Sequence, residues 1–149
     1  MKKFSFTFQY LLDAHRAKEQ AAEHALRMAG SALAEAEQAL AAMSETGARQ
    51  TRALEQMTGV VRPLDYSIYR ESVDFIHQQI AALKQVCSSK AEAVEECRAA
   101  LRKEVTSRRI LENLCDRERV EWAEALRAEE QKQMDELAVV RWSRQEVGV

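Results

Sequence analysis

The side chains through which this chain could do chemistry are three histidines, three cysteines and 24 carboxylates. His15, His24 and His77 converge neither on one another nor on the cysteines in sequence, so no metal-ligand spacing results. Cys87, Cys97 and Cys115 form an odd set with steps of ten and eighteen residues, which makes neither a disulfide framework nor a CxxC clasp. They read as reduced thiols on helix faces. Carboxylates do acid–base work where a concave pocket shifts their pKa values, and a long helical chain offers no such pocket. A phosphate-cradling GxxxxGK[ST] loop does not occur. The expectation is a non-enzymatic protein with no catalytic, cofactor-binding or metal-binding residues.

The elements that would carry these side chains follow from composition. Four Gly and one Pro in 149 residues supply too little turn chemistry for a many-stranded sheet or a loop-built site. Ala occupies 24 positions and charged residues 31%, the profile of long helices. Because so much of the 46% hydrophobic content is Ala, bulky core residues are sparse, which disfavours a compact enzyme. The net charge of −2 creates no field that would draw the chain to nucleic acid or to an anionic membrane. The apolar stretches fall short of the ~20 residues needed to span a bilayer, and Lys2-Lys3 is not followed by a signal-type apolar run. A soluble, cytosolic protein is expected.

Large apolar residues recur every seven positions from Phe8 to Met57. Leu12, Leu26, Leu33, Leu40 and Leu54 share one register, interrupted by Glu19 and Gly47, while Phe8, His15, Ala22, Ala29, Ala36, Met43, Gln50 and Met57 form the companion row. These are the a and d positions of a coiled-coil seam, predicting a helix over about 6–57, roughly 75 Å long. Gly59 and Pro63 punctuate the chain, so a turn is placed at about 58–64. A second seam runs through Tyr69, Ile76, Leu83, Cys97 and Leu111, beside Tyr66, Val73, Ile80, Cys87, Val94, Leu101, Cys115 and Trp122, with Lys90, Glu104 and Arg108 as interruptions. It predicts a helix over about 65–144, on the order of 120 Å long.

The predicted fold is all-α: a long, unequal, antiparallel two-helix coiled-coil hairpin spanning residues 1–149 as one domain. Folding back at the turn pairs residues whose numbers sum to roughly 122, which sets Phe8 near Leu114 and Glu19 near Arg102 and Lys103. A register-fixing ion pair is expected there. The first helix then runs out, and about 30 residues of the second project as a lone helix of roughly 45 Å. A helix that buries nothing rests on propensity and local pairs such as Arg127 with Gln131, so a partner should cover it. Trp122, Leu126, Gln131, Met134, Asp135 and Leu137 are its candidate partner-binding residues. Phe4, Phe6 and Phe8 alternate at the other end, beside the root of the overhang. They read either as an aromatic plug or, with Leu11, as part of the same partner-binding site.

Both termini resemble a known family. The opening Phe4-Ser-Phe-Thr-Phe-Gln-Tyr-Leu-Leu-Asp, with Glu19 and Ala21-Ala22 after it, resembles the start of the flagellar export protein FliJ. Leu111-Glu112-Asn113-Leu114 and Glu130-Gln131-Lys132-Gln133-Met134-Asp135-Glu136-Leu137-Ala138 resemble that family's L-E-K-L and E-Q-K-x-x-D-E-L-A stretches, with Asn113, Cys115 and Tyr10 as departures. The resemblance implies a central stalk of a type III export apparatus, similar in shape to a rotary ATP synthase shaft. Its implied partners are the hexameric export ATPase, the membrane export gate and export chaperones. The implied location is cytoplasmic, peripheral to the inner-membrane apparatus, and the implied chain is a monomer in isolation. A stalk of the YscO-type injectisome and a general coiled-coil scaffold or holdase are the alternatives.

Overall fold

The computed structural model describes residues 3–57, 59, 62–146 and 148. Among them are two long helices packed together and no strand: α1 (Gln9–Gln56) and α2 (Pro63–Glu146). α1 starts three residues later than the heptad pattern places it, because Phe4–Phe6 are non-helical and residues 7–8 form a turn, closed by Gln9 N–H donating to the Phe6 carbonyl at 3.3 Å. α2 starts two residues earlier. Pro63 fits its first position, where a missing N–H costs no helical bond, and Asp65 in the first turn favours the positive end of the helix dipole. The Arg62 carbonyl accepts the first bond, from Tyr66 N–H at 3.1 Å. Of the expected turn, Thr58, Val60 and Val61 lie outside the described residues. Gly59 adopts φ +100°, a left-handed conformation in which a Cβ is strained.

The chain divides into two compact units, Glu19–Lys103 and Met1–Lys18 with Glu104–Val149. In the first, the Leu/Ala rows of α1 are half-buried, as are Ile76, Ile80, Leu83, Cys87, Cys97 and Leu101 of α2, while Val73 and Val94 are buried. Gly47 is buried at a close approach of the two helices. A Cβ there would stand 2.9 Å from Ile80 Cδ1 and 3.2 Å from Ile76 Cγ2. Tyr69 and Lys90 are exposed, leaving two gaps in the second seam. Glu19 is half-buried, and neither it nor Arg102 nor Lys103 is without a partner.

In the second unit Phe6, Leu12 and Cys115 form a buried cluster, flanked by Phe4, Leu111 and Leu114. Polar contacts join α1 to α2 beside it. His15 Nδ1 donates to Glu104 Oε2 at 2.7 Å, and Glu112 accepts from Arg16 at 3.2 Å with one oxygen and from Arg108 at 2.6 Å with the other. Phe8 departs from the seam position expected for it. It precedes the helix and is 45% exposed, touching Phe6 edge-on with ring centroids 5.9 Å apart.

Candidate partner-binding site

All ten expected partner-binding residues belong to the unit that holds both termini. Phe6 is the one the fold consumes: 6% exposed, it packs with Leu12 and Cys115, so its ring stabilises the fold and is closed to a partner. The non-helical Phe4–Phe6 segment lets the alternate ring, Phe4, reach along α2. There the Phe4 and Trp122 centroids stand 6.0 Å apart at 59°, and the Arg119 guanidinium lies 5.7 Å over the Phe4 ring. Lys3, Phe4, Ser5, Glu118, Glu121 and Trp122 border a shallow depression, acidic on its α2 side. Phe8 and Leu11 are exposed nearby in sequence, and Tyr10, noted above only as a departure from the family pattern, is more exposed than either.

Half-burial along α2 continues through Glu118, Trp122 and Leu126 and then stops: every residue from 127 to 145 is exposed. Gln131 donates to Asp135 at 2.8 Å, so these two expected contact residues already pair with each other along the helix. Met134 and Leu137 border a second shallow depression with Ala138, Arg141, Trp142 and Gln145. Arg141 and Trp142 are therefore neighbours that the sequence reading left out, although their spacing of four residues from Leu137 and Ala138 was the signal for them.

The apolar side chains here are not confined to one stripe. At about 100° per residue, with Met134 as origin, Leu137, Val139, Val140 and Trp142 fall near 300°, 140°, 240° and 80°. All five are exposed, Met134 at 65% and Trp142 at 62%. These exposed apolar side chains therefore face several directions, each set among charged neighbours such as Lys132, Asp135, Glu136 and Arg141, so no single groove would cover them all.

No group of three or more potential metal ligands occurs among the described residues, and the depressions are open and shallow. A family model described as the flagellar FliJ protein matches residues 4–147, nearly the whole chain. The chain belongs to the FliJ family. Membership places this FliJ-family chain in flagellar type III export as a stalk component, the flagellar of the two export readings the sequence raises. Searches of curated proteins and of solved structures gave no match. Among the described residues of this FliJ-family chain, no helix is long and apolar enough to cross a membrane.

Proposed function

We propose that this FliJ-family chain is the stalk that inserts its α2 end into the hexameric export ATPase, couples that ring to the export gate, and escorts export chaperones at the cytoplasmic face of the inner membrane. In this reading the chain is a single antiparallel coiled-coil hairpin whose α2 projects past the start of α1. The observation that carries it is the ring of exposed apolar side chains at Met134, Leu137, Val139, Val140 and Trp142. A groove covers one face of a helix, whereas a ring of subunits encloses all faces. One asymmetric helix meeting six equivalent subunits contacts them unequally, and unequal contacts bias their nucleotide sites through a coupling free energy.

The test replaces Gln131, Met134, Asp135 and Leu137 together by Ala. ATPase binding is expected to be lost while helix content and thermal stability stay nearly unchanged, because Ala keeps helix propensity and all four residues are exposed. Replacing Leu33 and Leu40 by Ala is expected to do the reverse, lowering the melting temperature through lost seam packing. Normal ATPase binding by the fourfold variant would sink the proposal.

A further inference from the structure

The unit Glu19–Lys103 carries an apolar stripe that the seam does not use. Leu64, Ile68, Phe75 and Val86 are 71%, 58%, 61% and 44% exposed, and Ala82 is exposed among them. At about 100° per residue these five fall within roughly 40° of arc, whereas the seam residues Val73, Ile76 and Ile80 centre about 130° further round α2. The stripe is thus an outer face, distinct from the seam.

Its spacing is palindromic. From Leu64 the steps are four, seven, seven and four residues, so Phe75 is the midpoint and Leu64 is as far before it as Val86 is after it. A two-fold axis beside Phe75 would bring a second α2 alongside in the opposite direction, pair each position of the stripe with the one whose number completes 150, and set each flanking residue against the nearest one on its own side. Leu64 then meets Val86 of the second copy, Ile68 meets Ala82, and the two Phe75 rings meet each other. This is the self-complementary geometry of an isologous interface.

The polar flanks agree with that register. Glu71 and Gln78 border one side of the stripe, Ser72 and Gln79 the other, and all four are exposed. Across the two-fold axis Glu71 faces the second copy's Gln78, and Ser72 faces its Gln79. Each of these two carboxylates meets an amide that can donate to it, while Asp74, about 100° from the centre of the stripe, meets its own copy only at the solvated rim, where the repulsion is screened.

We infer that the outer face of α2 from Leu64 to Val86 is a self-association surface, on which a second copy of this chain docks antiparallel about Phe75. The contact is about 33 Å long with one apolar row per helix, so the dimer is weak and forms as concentration rises. The inference does not depend on the ATPase reading, which concerns the other unit.

Sedimentation of the full chain across a wide concentration series tests it. A monomer–dimer equilibrium is expected. Phe75→Glu, which sets two carboxylates together on the axis, should weaken it by about tenfold or more with helix content unchanged. Gln78→Glu opposes the second copy's Glu71 and should also weaken it, and adding Glu71→Lys to that variant should restore association through a salt-sensitive ion pair. A chain that stays monomeric throughout overturns the inference and leaves the stripe to a different protein. A dimer indifferent to Phe75→Glu, or a charge pair that fails to rescue, overturns it as well.

Discussion

Leu12 is 3% exposed, and with Phe6 and Cys115 it closes the core of the unit that holds both termini. Leu12→Ala is expected to cost about 2–3 kcal/mol, toward the lower part of the range for buried leucine because the cluster is small and its rim is wet. Chemical denaturation followed by circular dichroism measures it. The two helical glycines separate packing from propensity. Gly30 has open space where a Cβ would go, so Gly30→Ala should stabilise by about 0.5–1 kcal/mol. At Gly47 the new methyl meets Ile80 Cδ1, which can rotate away, and Ile76 Cγ2, which sits on a stiff branched carbon. Gly47→Ala should therefore melt at or below the parent temperature, and a rise matching that of Gly30→Ala would refute the close approach. Leu12 was legible from its heptad position alone. Phe8 was not, because periodicity continued backwards assigns it to the helix, whereas the turn at residues 7–8 takes it out.

At the scale of elements, the recurrence of apolar residues every seven positions, mainly Leu, Ala and Met in α1 and Tyr, Ile, Leu, Val and Cys in α2, carried both helices, since one face of each must be covered. Gly59 and Pro63 bounded the second helix because each has a conformational reason to stand where it does. The contact that covers Trp122 comes from the Phe4 ring, and a non-helical lead-in has no period to read. Trp142 is absent from the expected partner-binding residues for a different reason: apolar residues spread around a helix yield no stripe to which it could be assigned. A chain ending at Leu126 is expected to unfold within about 0.5 kcal/mol of the full chain, since residues 127–145 are all exposed. A large loss of stability on that truncation would mean that the segment packs on the rest.

For the whole molecule, the stalk reading predicts stoichiometry. A central shaft serves one ring, so stimulation of the cognate ATPase should saturate at about one stalk per six ATPase subunits. Titration at a dilution where the chain is monomeric reads this directly. Saturation at one stalk per subunit would indicate a side-binding adaptor instead. Here sequence reasoning reached the family through residues at both ends, Phe4 to Asp13 and Glu130 to Ala138, and the family model spans the chain between them. The outer stripe on α2 escaped it, because a second apolar face hides within a heptad pattern until burial separates the covered row from the open one.

The bare α2 segment has a consequence in time as well as in space. From 127 to 145 the amide hydrogens are held by helical bonds alone, with no packed side chain above them. They should exchange with deuterated solvent through brief local opening, whereas amides under Leu12, Val73 and Val94 wait for larger, cooperative opening. Seating in a ring would then slow exchange chiefly in this segment, so the footprint of the partner can be timed residue by residue without changing the protein.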